Sequence, residues 1–170
     1  MMSFSLYAMS AETFVAVLGD LASFLAKGAE KKLDPETARL APDMFPLTKQ
    51  VQIATDHAKN TVALLAGREP PKFADDEKTF DALQARIAKT IDYVKSVPAS
   101  AFAGGEERQI VLPLFADMVL DAKGWQFLRD WSLPHFYFHV VTAYDILRHH
   151  GVEIGKRDFM PHVGAYIRQK

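Results

Sequence analysis

Apolar positions along this chain recur in steps of three and four, the spacing that turns one side of an α-helix toward a core. The first such stripe is Tyr7, Phe14, Leu18, Leu21 and Leu25. It predicts a helix that fades between Gly28 and Lys32, ahead of an Asp34-Pro35 turn. The second stripe is Leu47, Val51, Ala54, Ala58, Thr61 and Leu65. Pro46 suits its start, where a missing N–H costs no hydrogen bond, and Gly67 followed by Pro70-Pro71 stops it. The third is Phe80, Leu83, Ile87, Ile91 and Val94. Asp75 or Asp76 is expected to cap its first N–H groups, and Pro98 closes it.

Between residues 99 and 123 the helical period is lost. Gln109-Ile110-Val111-Leu112 and Met118-Val119-Leu120 are short apolar runs flanking Pro113 and Asp117. They favour a small β-hairpin, with Pro113 confining the pairing to an edge, over an irregular loop. The last helix falls between Gly124 and His150, with Gly151 placed to end it. Leu133, Phe136, Tyr137, Val140, Tyr144 and Leu147 form one face, while Phe138, Val141, Ala143 and Ile146 fill much of the rest. A helix so widely apolar is covered on most sides. Pro134 either kinks this helix or marks its true first turn, and the pattern leaves both open. The tail, residues 152–170, carries Phe159 and Tyr166 as anchors for folding back over the helices. Four amphipathic helices in one chain of 170 residues predict an all-α, single-domain four-helix bundle.

Composition narrows the function classes. Hydrophobic residues make up 49% and charged residues 24%, ordinary for a folded protein. The formal net charge of −1 and the lack of a basic block give nucleic acid no electrostatic footing. With no cysteine, the chain has no disulfide framework, thiolate metal site or cysteine nucleophile. The start, Met1 to Tyr7, lacks the basic and apolar regions of a signal peptide. The Leu133–Leu147 stretch is too short and too interrupted to span a bilayer. The expectation is a cytoplasmic protein with no membrane partner. There is no G-x-S-x-G elbow, Walker loop or G-x-G-x-x-G loop. Gly104-Gly105 precedes two glutamates, which would repel phosphate.

Several segments resemble one family. They are Leu40-Ala41-Pro42-Asp43-Met44-Phe45-Pro46-Leu47, Phe136-Tyr137-Phe138-His139-Val140, Thr142-Ala143-Tyr144-Asp145-Ile146-Leu147-Arg148-His149 and Gly151-Val152-Glu153-Ile154-Gly155-Lys156-Arg157-Asp158-Phe159. The chain is similar over nearly its whole length to a bacterial domain-of-unknown-function family within the DinB/YfiT-like superfamily. That resemblance implies a four-helix bundle and a homodimer. It also implies a divalent metal held by three histidines, one on the second helix and two in an H-x-x-x-H pair on the fourth. Some members of the superfamily act as thiol-dependent transferases or isomerases. Of the three matching positions here, only His139 belongs to the group's own motif.

The residues support the same constellation independently. His135 and His139 stand four apart, so a helix stacks them on one side, and His57 lies near the middle of the second helix. Imidazoles suit zinc, nickel or iron. Ser132 and Thr142 could line a polar pocket beside the pair or orient its rings, and Tyr137 and Tyr144 could add polar tips. Against hydrolysis, no glutamate sits within H-x-x-x-H, and Asp56 and Asp145 face elsewhere. The competing reading is three half-buried histidines bonded to hydroxyls and backbone. His149 and His150 fit a helix C-terminus, which favours positive rings. Lys156-Arg157 beside Asp158 reads as a local ion pair or a clasp for the tail. His162 carries no inference. The leading reading is a ligand-binding or non-catalytic homodimeric bundle. Its rival is a metal-dependent enzyme of transferase, isomerase or hydrolase type, using zinc or nickel at His57, His135 and His139.

Overall fold

The computed structural model describes residues 5–169. The opening residues 1–4, part of the signal-peptide argument, and the side chain of His162 lie outside what it describes. Helix α1 spans Thr13–Glu30 and is preceded without a break by a π-helical turn, Ala8–Glu12. Helices α2 (Leu47–Leu65) and α3 (Phe80–Ser96) follow the predicted stripes closely. A short α4 (Gly124–Gln126) runs through a second π-helical turn, Phe127–Ser132, into α5 (Leu133–His149).

The four long helices close a ring in which α1 packs on α3 and α5, and α2 packs on α3 and α5. Chain neighbours α1 and α2 therefore stand across a diagonal. All six positions of the α2 stripe are buried, as are Phe14, Leu18, Leu21 and Leu25 of α1. Phe14 meets Phe136 edge to face, 4.8 Å between ring centres, and ties α1 to α5 at mid-bundle.

Local chemistry departs from expectation in places. The α3 cap is Thr79, whose hydroxyl oxygen accepts from the Ala82 N–H at 3.2 Å. Asp75 is drawn off to Lys49 and Arg86 instead. The hairpin forms as β1 (Gln109–Pro113) and β2 (Val119–Lys123), antiparallel, with Ile110 opposite Ala122 and Pro113 closing the ladder opposite Val119. Pro134 stands in the first turn of α5, within a longer helical path. The helical path does begin at Gly124, and the chain absorbs the proline's missing donor just after a π turn.

Glycines permit the hairpin's close seat. A Cβ on Gly105 would stand 2.6 Å from the Leu65 carbonyl oxygen, and one on Gly124 would collide with the Gly105 carbonyl. The sequence reading tests Leu133–Leu147 for a membrane span, but the run that meets length and apolarity is Ala8–Glu30. Half of that apolar window is buried within the bundle, as in a core helix.

The tail is anchored through Val152, Ile154 and Phe159, whose ring stacks on Phe24 at 5.9 Å. Tyr166, expected as a second anchor, is 83% exposed. The clasp at this segment is Asp158, which pairs with Lys27 of α1 at 2.6 Å and accepts from the Gly155 N–H.

Candidate functional site

α2 and α5 pack side by side, and three imidazoles meet along their seam. The His57 ring lies 4.9 Å from His135 with 3° between planes, and 6.1 Å from His139 with 16° between planes. His139 is buried, while His57 and His135 are half-buried.

Each ring of the α5 pair is held from behind. Nδ1 of His135 donates to the Trp131 carbonyl at 2.8 Å, one turn back along the helix, and the Trp131 indole tilts over the same ring at 4.3 Å. Nδ1 of His139 donates to Oε1 of Gln50, on the first turn of α2, at 2.7 Å. Gln50 in turn donates from Nε2 to the Phe45 carbonyl at 3.0 Å.

Burial favours the uncharged form of His57 and His139. Burial, followed by the charges His135 and His139 would carry, lowers the His57 pKa from 6.5 to about 4. Burial and then His135 lower His139 to about 4 as well. Near neutral pH both rings are therefore free bases, the form in which imidazole binds a metal.

The donor set, three imidazoles without a thiolate, suits zinc or nickel. The separations suit it too. With metal–nitrogen bonds of about 2.0–2.1 Å, two imidazoles sharing one ion set their ring centres roughly 5–6 Å apart. The rings nevertheless stack in near-parallel planes, and among the described residues no group of three or more His, Cys, Asp or Glu side chains is placed so that it could hold a metal ion. The histidines are gathered at the right spacing but not aimed as a closed cage.

The other predicted site residues scatter. Ser132 is buried at the seam, and its hydroxyl meets that of Thr61 across α2 and α5. Thr142 donates back to the Phe138 carbonyl at 2.6 Å and orients no imidazole. Tyr137 leaves the seam and lines a cleft of about 340 Å³ with Glu12, Val17, Phe159 and Met160. Tyr144 packs edge to face on Phe24 and Phe159, half-buried against the core. His149 and His150 are exposed at the end of α5, where His150 donates to the Ile146 carbonyl.

Two residues that matter at the seam were not anticipated, Gln50 and Trp131. A polar residue at 50, next to the apolar 47–51 step of α2, was the available signal. A third is Arg86, three residues beyond Leu83 on the buried side of α3. Its guanidinium is enclosed by Asp56 at 2.8 Å, Glu77 at 3.0 Å and Asp75 at 3.1 Å, with the Thr55 hydroxyl and the Ala74 carbonyl each at 2.7 Å. Asp56, which also pairs with Lys59 at 3.0 Å, is thereby committed to α3 and not to the histidines.

The family described as "Domain of unknown function (DUF1993)" matches residues 6–160. The crystal structure of a DinB family member protein from Shewanella denitrificans is 38% identical, with a TM-score of 0.82 and 91% of each chain covered. No curated protein matches the chain.

Proposed function

This chain belongs to the DUF1993 family and has a DinB-like helical fold, and on that premise we propose that it is a binding bundle whose ligand is a divalent transition metal, zinc or nickel. His57, His135 and His139 hold the ion. The observation that carries this reading is the meeting of His57 with both α5 histidines, at 4.9 and 6.1 Å, on a seam otherwise built of ordinary packing. The uncharged rings of His57 and His139 support it, because neither has to give up a proton near neutral pH. An ion held this way would act as a Lewis acid toward an oxygen ligand.

The chain's own residues favour binding over hydrolysis. A hydrolase needs a proton acceptor beside the ion. Asp56 is held by Arg86 and Lys59, and Asp145 is exposed on α5. The proposal includes a homodimer, supported by the unpartnered side of α5 where Phe138 is 58% and Val141 40% exposed.

Calorimetric titration of metal-free protein with zinc chloride and nickel chloride tests the metal site, with elemental analysis of the dialysed product. One ion per chain is expected, lost in His139→Ala. A folded protein that takes up neither ion stoichiometrically would end the proposal.

A further inference from the structure

The direction of a hydrogen-bond chain running into the cluster is fixed at its far end. The Phe45 carbonyl can only accept, so the group facing it must be the amide nitrogen of Gln50, at 3.0 Å. That orientation turns Oε1 of Gln50 toward His139, at 2.7 Å from Nδ1. Oε1 cannot donate either, so the proton between them belongs to Nδ1 of His139. In a neutral ring this leaves Nε2 bare, with its lone pair in the ring plane.

We propose that Gln50 is the positioning residue of the imidazole site: it relays the polarity of the Phe45 carbonyl to His139 and sets that ring in the tautomer whose Nε2 can bind a metal. The proposal rests on the metal reading above for its purpose, but the tautomer itself exists without any ion. The placement supports the role. Gln50 is 2% exposed, so water does not compete for either end of its amide. Its two partners come from different places, the loop ahead of α2 and the middle of α5, so the amide also locks the loop to the site. The Trp131 carbonyl imposes the same tautomer on His135, from a backbone atom that no substitution can remove. Gln50 is thus the side chain through which the tautomer of His139 can be altered. Ser132 and Thr142, which sequence reasoning put in this role, spend their hydroxyls on Thr61 and on the Phe138 carbonyl.

The test is nitrogen-15 NMR of the imidazoles in metal-free, full-length protein at pH 7.5, where long-range coupling patterns distinguish a protonated from a bare ring nitrogen. Wild type is expected to show His139 with Nδ1 protonated and Nε2 bare. Gln50→Leu should lose that preference, because free imidazole favours the proton on Nε2, whereas Gln50→Glu keeps an acceptor and should retain it. In the titrations, Gln50→Leu should weaken metal binding by about 10–100-fold, the usual cost of removing a partner that orients a metal-bound histidine. Gln50→Glu should recover most of that loss. A wild-type His139 protonated on Nε2, or a Gln50→Leu protein whose tautomer is unchanged, would overturn the role. Neither spectrum depends on metal uptake, so the role and the metal reading fail separately.

Discussion

The rings of His57 and His135 lie 4.9 Å apart and 3° from parallel, although one is carried by α2 and the other by α5. Two imidazoles in such contact cannot both be protonated without repulsion. The arrangement therefore ties the stability of the seam to pH.

His57 and His139 have folded-state pKa values of about 4 against 6.5 for an unperturbed ring. Between those values the unfolded chain binds more protons than the folded one. The histidines' stabilisation is thus fully present above about pH 6.5 and is lost as pH falls toward 4, by at most about 1.4 kcal/mol per pH unit for each group. Urea unfolding of metal-free protein at pH 7.5, 6.0 and 5.0 should show this fall. In His57→Gln the slope should be visibly shallower, and an unchanged slope would show that the acid sensitivity lies elsewhere.

Arg86 joins α3 to α2 and to the connection between them. Arg86→Met leaves Glu77 without its buried cation and Asp56 with Lys59 alone, and breaking a buried pair typically costs about 3–5 kcal/mol. Urea denaturation should register a loss of that size, and limited proteolysis should find new cleavage between residues 66 and 79. A loss below about 1 kcal/mol would mean that the network is solvated and contributes little.

Phe138 and Val141 test the dimer. Phe138→Glu puts a charge on the exposed side of α5, so a self-associating protein should become monomeric in light scattering while its helical circular dichroism stays the same. A wild type that is already monomeric at high concentration would contradict the association.

Gly124→Ala should be among the most damaging single substitutions in the chain. The new methyl group would collide with the Gly105 carbonyl, a backbone atom that cannot swing aside. A destabilisation of about 2 kcal/mol or more is expected by thermal or urea unfolding, in line with overpacking at rigid sites. Gly104→Ala meets no atom within 4 Å, though its φ of +70° makes that replacement strained for a different reason.

How much of this was legible depends on the kind of signal. The stripes of α1, α2 and α3 were readable because burial of one helical side repeats over several turns, so no single residue decides the outcome. The gathering of His57, His135 and His139 was readable for a related reason, since mid-helix positions on packed neighbours fall at similar heights. Single contacts were not. Thr79 caps α3 where two aspartates had stronger claims by composition, because Arg86 and Lys49 compete for Asp75. Tyr144 looks like a polar tip in sequence but is half-buried, its ring edge to face with Phe24 and Phe159. Gln50 stood out only as a polar residue beside the apolar stripe of α2, its partner being a histidine 89 positions away, and the Trp131 carbonyl, a main-chain atom, left no signal.

The π turn at Phe127–Ser132 has a geometric corollary. A turn closed by i→i+5 bonds holds an additional residue over the same climb, and each residue of an α-helix turns the chain by about 100°. The segment upstream, α4 and the hairpin that feeds it, is thus set out of phase with α5 by slightly more than a right angle, like a shaft keyed one notch round. Phe127 and Leu128 are buried at the head of the turn, and Phe136 and Val140 are buried beyond it. Shortening the turn by one residue would leave every side chain in place by name and rotate half of them away from the bundle axis.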